Sequence, residues 1–428
     1  MQRKKDDMKI QHIGGHNKED NNVFSYLPMG TNWLELKRFN CNRKNELYSF
    51  RRKTEEHYLL LNGLVCINGE EYGAGTIISY EPYEKRNFFV LDNVVCISIK
   101  DPKACEDDEL QDDNLTLDDF ISPYSLKMPG HIERVNDIEY RDISVVIQGA
   151  IDRKFTPMSI ESVRRFLPGA TIILSTWEGA SVDGLDFDEV VFNSDPGAPF
   201  FQKTTDIRHY DNRNRLLVST QGGIKRVSTK YTLKMRSDCI LCGDGVVRNY
   251  GRYPKRTGEL CLFKNKLVVG EQCNIMKLYF EDSFRPYVFH VSDWFCFGLT
   301  EDVMTYFDGT EVESDEQMTR WTYKNTLYIP PDDIMGRNFS PRYNSEQYYF
   351  LSALRRKFKI EYVDISDYSE KIEQLSKTAI VNNFEIMNIR DHQIINAKKQ
   401  NKQAWNLEMS KEAEFFTNKK YESIYQGI

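Results

Sequence analysis

From Met29 onward the apolar residues come in short β-type runs: Trp33 to Phe39, Leu47 to Phe50, His57 to Leu61, Leu64 to Ile67, Thr76 to Ser79, Phe88 to Leu91 and Val94 to Ile99. Turn residues stand between them, at Asn62-Gly63, Asn68-Gly69 and Gly73-Ala74-Gly75. Short strands at close spacing with turn chemistry between them predict an all-β sandwich or barrel over residues 29–102. Residues 1–28 are polar and predict a flexible arm, or an edge strand at most.

The texture changes after that. Glu106-Asp107-Asp108-Glu109, Asp112-Asp113 and Asp118-Asp119 repel one another and resist packing, so residues 103–140 read as an acidic linker. A second domain opens with the continuous apolar run Ile143-Ser144-Val145-Val146-Ile147, ending at Gln148-Gly149-Ala150. Thr156-Pro157 supplies an N-cap and a first-turn proline, and Ile160, Val163, Phe166 and Leu167 share one helical face. Pro168-Gly169 stops that helix, and Ala170 to Ser175 gives a second strand. Strand, helix, strand in about thirty residues is a βαβ unit, whose ligands bind at the carboxyl ends of its strands. Gln148, Gly149, Thr176 and Trp177 are the candidates on that edge.

Val190 to Asn193 is a third strand, followed by loop chemistry at Ser194-Asp195-Pro196-Gly197. The next helix starts with Asn212-Arg213-Asn214-Arg215, and guanidinium forks near helix N-terminal amides favour anions. Asn214 and Arg215, with Asp195 in the loop before them, are candidate diphosphate or base contacts, and a solvated helix face is the alternative. The helix delivers the chain into Lys230 to Leu241, KYTLKMRSDCIL, an apolar strand interrupted by Arg236-Ser237-Asp238. A carboxylate there offers a hard oxygen ligand to a divalent cation, and the alternative is an Arg–Asp pair closing the strand end.

Length and charge narrow the field. At 428 residues the chain suggests two domains, and its formal net charge of −7 argues against a nucleic-acid binder whose affinity comes from a basic surface. Nine cysteines are scattered without an even framework, and the first twenty residues lack the apolar core of a signal peptide. A cytoplasmic location is expected, peripheral at the inner face of the membrane if membrane-associated at all.

Two resemblances add to this reading. Glu56 to Gly63 and Gly75 to Pro82 resemble the two cupin signatures, with Phe50, Arg52 and Asn87 where a metal-binding cupin carries histidines. That implies a structural, homodimerising or sugar-sensing β-barrel rather than a metalloenzyme. The segments ISVVIQGAI (143–151), FLPGATIILSTWEG (166–179), NSDPG (193–197), NRNRLLVSTQGGIK (212–225), YTLKMRSD (231–238) and HVSDWFCFG (290–298) resemble, in this order, the WavE family of lipopolysaccharide-synthesis proteins. That family is similar to nucleotide-sugar glycosyltransferases of the GT-A type. The resemblance implies a GT-A-like α/β/α sandwich over residues 141–390, giving an α/β plus all-β chain with a C-terminal helical tail at 391–428.

It also implies roles. Arg236-Ser237-Asp238 takes the place of the acidic motif that hands donor phosphates to a metal, with Asp238 as ligand for Mg²⁺ or Mn²⁺ or Arg236 as a phosphate clamp in the cation's stead, and Lys234 beside it is a donor-binding candidate. His290, Asp293 and Glu346 are the catalytic candidates, Asp293 as base or second metal contact, and Trp294 is a sugar platform for the acceptor. The expected partners are a nucleotide-sugar donor and a glycan or lipid-linked glycan acceptor. The activity the resemblance implies is glycosyl transfer to a surface glycan such as a lipopolysaccharide core or capsule. The alternatives are a non-catalytic nucleotide-sugar binder and a transferase of another group. Cys239 and Cys242 form a CxxC that continues an apolar strand, which favours packing over zinc. The Lys-rich C-terminus with Trp405, Phe415, Phe416 and Tyr421 could lie on an anionic membrane or pack on the catalytic domain.

Overall fold

The computed structural model describes residues 9–12, 28–29, 32–39, 46–52, 56–67, 70–80, 86–100, 109–110, 116–118, 121, 135–204, 207–272, 274–280, 283–319, 321–323, 326–328, 342–364, 369–397 and 413–427. The chain divides into two compact units, residues 1–130 with 398–407 and residues 131–397 with 408–428.

The first unit is built on one antiparallel sheet, in which strand Glu56–Ile67 lies between Thr76–Tyr80 and Arg86–Lys100, and Asn32–Phe39 follows on the far side. Lys9–His12 adds at the Thr76–Tyr80 edge, so part of the N-terminal arm is an edge strand. The sequence predicts a hairpin turn at Asn62-Gly63, and the structure corrects this. Glu56–Ile67 is one long strand whose register slips between Leu60 and Leu64, with Gly63 at φ +89. The inserted residue flips the inward parity: Tyr58 and Leu60 are buried before the bulge, Val65 and Ile67 after it. The predicted break between Leu91 and Val94 is likewise absent, because Arg86–Lys100 is a single strand. His57 Nδ1 lies 2.8 Å from Ser79 Oγ, its cross-strand neighbour. Phe50, Arg52 and Asn87 belong to strands, but their side chains, like most of the acidic linker, lie outside the described residues.

The second unit holds a seven-stranded sheet. Its strands are β1 (Ile143–Gln148), β2 (Thr171–Trp177), β3 (Glu189–Asn193), β4 (Tyr231–Arg236), β5 (Leu267–Gly270), β6 (Phe295–Leu299) and β7 (Phe384–Met387). They lie in the order β3-β2-β1-β4-β6-β5-β7, with β6 antiparallel to β4 and β5 and the other pairings parallel. All six residues of β1 are buried, as a strand covered on both faces requires. Helix α1 (Phe155–Phe166) covers one face with Ile160 and Val163 against Val145, Ile147, Ile172 and Leu174. Helix α2 (Arg213–Ile224) covers the other with Leu217 and Ile224 against Val146 and Ile173. Helices α3 (Thr300–Phe307), α4 (Ser345–Arg355), α5 (Glu370–Asn383) and α6 (Asn418–Gln426) complete that second layer.

Three local expectations are corrected. Helix α1 begins at Phe155, and its first amides are met by Asp152 Oδ1, which accepts from Lys154 N at 3.0 Å and Phe155 N at 3.1 Å. The single strand predicted through Leu241 is two: the chain turns at Ser237-Asp238, and Cys239–Leu241 pairs with Ile394–Asn396 in a separate ribbon. The C-terminal segment, expected to be helical, carries a strand as well at 413–427, and it packs on the α/β unit, the second of its two readings. Ala413–Phe415 pairs with the strand Ile275–Phe280, and Phe416 and Tyr421, the aromatic residues offered to a membrane, are buried in the core. Trp405 lies outside the described residues. Among the described residues no helix is long and apolar enough to cross a membrane.

Candidate functional site

Strand order places the site. Successive strands run outward from β1 through β2 to β3, and the chain then returns by α2 to β4 on the other side of β1. The direction of winding therefore switches between β1 and β4, the position at which open α/β sheets bind their ligands. Gln148 and Arg236 are register partners at those ends. The backbone knits them together: Ser237 N donates to Gln148 O at 2.9 Å, Gly149 N to Ser175 O at 3.0 Å, and Ser237 Oγ to Ala150 O at 2.7 Å. Gly149 has φ +118, a conformation that favours glycine, and a Cβ there would stand 3.4 Å from Ser237 Oγ.

The two sides of Arg236 differ. Its Nε and Nη2 donate to the two oxygens of Asp238 at 3.0 and 2.8 Å, a planar fork on a carboxylate. Asn396 Nδ2 donates to Asp238 Oδ1 at 3.0 Å, so three donors converge on that carboxylate. Nη1 of Arg236 has no hydrogen-bond partner among the described residues, and the Arg236 side chain is 31% exposed against 8% for Asp238. Burial opposes the guanidinium charge, but Asp238 outweighs it and holds the Arg236 pKa above its ordinary value.

The loop entering β6 packs on this sheet edge. Arg236 N donates to Trp294 O at 3.1 Å, and the fully buried Lys234 donates its ammonium to Asp293 O at 2.5 Å. Burial pulls the Lys234 pKa down, and the Asp293 carboxylate partly restores it. Asp293 thus stands in the field of both Lys234 and Arg236. His290, three residues earlier, accepts from Ile275 N at 3.1 Å through Nδ1, and its Nε2 lies 3.9 Å from Glu346 Oε2. Glu346 sits in the first turn of α4. The capping box there is made by Asn344 and Gln347, so Glu346 is not its cap.

The structure accordingly gathers Gln148, Gly149, Lys234, Arg236, Asp238 and Asp293 at one sheet edge, with His290 and Glu346 adjoining through the same loop. Thr176 is the last residue but one of β2, and its Oγ1 is buried without a hydrogen-bond partner among the described residues, while Trp177, which ends the strand, is half-buried. Asp195 and Arg215 pair at 2.8 Å on the outside of β3 and α2, where Arg215 holds the Asp195 carboxyl below its usual range.

Four assignments are corrected. Asn214 spends its amide on Glu313, donating to its carbonyl at 2.7 Å and accepting from its N–H at 2.9 Å, and is 4% exposed. It is a tie between α2 and the 311–314 loop rather than a donor contact. Trp294 is 7% exposed within the apolar cluster on the α1 face, which leaves too little ring for a sugar platform. His290 is buried, which pushes its pKa down to about 3, too weak for a general base near neutrality. The donor set does not fit Mg²⁺ or Mn²⁺ either: Asp238 gives both oxygens to Arg236 and one also to Asn396, and among the described residues no three or more His, Cys, Asp or Glu gather for a metal ion. Asn396, the third donor on Asp238, is absent from the sequence reading because it lies 158 residues away.

The family model for WavE lipopolysaccharide synthesis matches this doubly wound α/β unit over residues 143–422. The chain belongs to the WavE lipopolysaccharide synthesis family, and its involvement in lipopolysaccharide synthesis follows from that membership. No curated protein sequence matches the chain. Among solved structures it is similar to an ethanolamine utilization protein Q from Salmonella typhimurium (16% identity, TM-score 0.15), over 18% of this chain and 61% of that one. A cupin superfamily protein from Desulfitobacterium hafniense (11% identity, TM-score 0.15) matches over 20% of this chain and 82% of its own. A cupin protein from Bacteroides fragilis (14% identity, TM-score 0.16) matches over 24% and 98%. This chain therefore spans less than two thirds of the Salmonella protein, and at these scores no functional conclusion follows.

Proposed function

We propose that the chain is a GT-A-like glycosyltransferase that moves a sugar from a nucleotide-sugar donor to a surface glycan, a lipopolysaccharide core or capsule. The observation that carries the reading is the convergence of Arg236, Asp238 and Asp293 at the switch point between β1 and β4, where α/β sheets bind nucleotides. In this account the acceptor hydroxyl attacks the anomeric carbon, Asp293 takes its proton, and the bond to the donor phosphate breaks with its electron pair staying on the phosphate. Gly149 approaches the nucleotide, and Arg236 faces the leaving phosphates. The first unit would act as a cupin-like homodimer contact or sugar sensor, and the enzyme would work in the cytoplasm at the inner face of the membrane.

The test is nucleotide release from a panel of nucleotide sugars with lipopolysaccharide core oligosaccharide as acceptor. At least one donor should be turned over, and Asp293→Asn should lower kcat by about 10²–10⁴. A fully silent panel would refute the enzyme reading. The closed Arg236–Asp238 pair supports a second reading, a nucleotide-sugar sensor, which binding without release would favour.

A further inference from the structure

We infer that Arg236 is the phosphate-binding cation of this site, that Asp238 and Asn396 act as positioning residues for it, and that nucleotide binding needs no divalent metal. The inference rests on the nucleotide-binding part of the proposed function and assigns the site's charge chemistry. An acidic residue that serves as a metal ligand must have lone pairs open to the metal. Asp238 already gives three of its four lone-pair positions to two nitrogens of Arg236 and the amide of Asn396, which leaves a single one on Oδ2. Three donors on one carboxylate are what fixes a cation, not what receives one.

The geometry leaves Arg236 with an arm to spare. Two of its three nitrogens face Asp238, and Nη1 has no hydrogen-bond partner among the described residues while the side chain keeps 31% exposure. A guanidinium locked on one edge is pre-organised to meet phosphate oxygen with the other, and little side-chain freedom is lost when it does. Asn396 comes from the Ile394–Asn396 strand, whose register on Cys239–Leu241 sets its reach: Ala397 N donates to Asp238 O at 2.9 Å. That ribbon thus clamps the turn that carries Asp238 from both backbone and side chain. Around Arg236 the charged groups are Asp238, Asp293 and Lys234, so the pocket holds two cations and two carboxylates, and an entering diphosphate meets a local balance rather than a field of repelling anions.

The experiment is calorimetric titration of the full chain with UDP, GDP, CDP, ADP and dTDP, each in EDTA and again with Mn²⁺. At least one nucleoside diphosphate should bind with the same Kd in both buffers. Arg236→Ala should weaken that binding by about tenfold to a hundredfold, the range of one charge-assisted hydrogen bond, with no recovery on adding Mn²⁺. Asn396→Ala should weaken it by a smaller factor while leaving the matching nucleoside, which has no phosphate, bound as before. A mere loss of structure would affect nucleoside and nucleotide alike. Binding that appears only with Mn²⁺, or that Arg236→Ala leaves intact, would overturn the inference and leave the nucleotide-binding reading standing. If none of the five binds in either buffer, both fall together. The comparison of the two buffers uses the unaltered protein, so the inference remains testable even if a variant does not fold.

Discussion

Helix α2 sits on the sheet through the pair Gly222-Gly223, and the two glycines should tolerate a methyl group very differently. A Cβ on Gly223 would stand 2.4 Å from Val146 Cγ1 and 3.0 Å from Ser175 Cβ, on β1 and β2, where neither residue has room to yield. Restoring an ordinary carbon contact of about 3.5 Å requires the helix to lift by about 1 Å. Overpacking of that kind costs about 1–3 kcal/mol. The lift also strains Ser175 Oγ to Ser219 O and Ser219 Oγ to Gln148 Oε1, both 2.6 Å. Each is worth about 1 kcal/mol net. Alanine returns about 1 kcal/mol of helix propensity, leaving a net loss of about 2–4 kcal/mol. At about 2–4 °C per kcal/mol, Gly223→Ala should lower Tm by about 4–16 °C.

Gly222→Ala has a nearer obstacle, Asn193 Oδ1 at 2.0 Å, yet should cost less. The obstacle is the end of a side chain on the edge strand β3, and the amide can turn away at the expense of its bonds to Ser175 Oγ (3.0 Å) and Thr176 O (2.8 Å). After the gain in propensity the loss is about 1 kcal/mol. Calorimetric melting of both variants decides the matter. If Gly222→Ala proves as destabilising as Gly223→Ala, the reasoning from what each methyl would strike is wrong.

Acid should destabilise the fold before ordinary carboxylates titrate. Burial holds His290 and His392 at about 3 against an ordinary 6.5, so between these values the unfolded chain binds two more protons than the folded one. Glu385, raised by burial to about 7 from 4.5, opposes them by one. The net of one proton predicts a loss of about 1.4 kcal/mol per pH unit below 6.5, read from denaturant midpoints, and a flat profile there would contradict it. Burial pushes the Cys239 and Cys296 thiols up to about 12 and raises Cys242 as well. Native alkylation mapped by mass spectrometry should therefore spare these three while labelling the half-buried Cys261, and labelling of Cys239 at the same rate would refute their placement. Arg215→Ala should cost only about 0.2–1 kcal/mol, because the Asp195 pair is exposed. Arg215 depresses the Asp195 pKa, so that stabilisation is present above the ordinary carboxylate range and disappears as pH falls through the lowered value. A difference between variant and parent that persists in strong acid would point to packing instead.

What the sequence disclosed follows the range of the interactions involved. The βαβ opening, the turn at Pro168-Gly169 and the Arg/Asn-rich start of α2 are local patterns, and the structure has them within a residue or two. The polar break at Arg236-Ser237-Asp238 was legible for the same reason, but not that the chain turns there into a second ribbon. A bulge such as that near Gly63 leaves no local mark, since Asn-Gly serves a hairpin and a register slip equally well. Asp238's partners were only half legible: Arg236 is two residues away, while Asn396 arrives through strand pairing across the chain. Asn214 reads as an anion contact from its neighbours, and only the fold shows its amide spent on Glu313. The same limit applies to Trp294 and His290, whose candidate roles depended on exposure that a sequence does not carry.

The account meets its most direct test in a crystal structure of the chain with the nucleoside diphosphate that binds it most tightly. The phosphates should lie between the carboxyl ends of β1 and β4, with Arg236 donating to them through Nη1 while its other two nitrogens stay on Asp238. A nucleotide bound elsewhere, or phosphates reached through a cation held by Asp238 with Arg236 swung away, would contradict it.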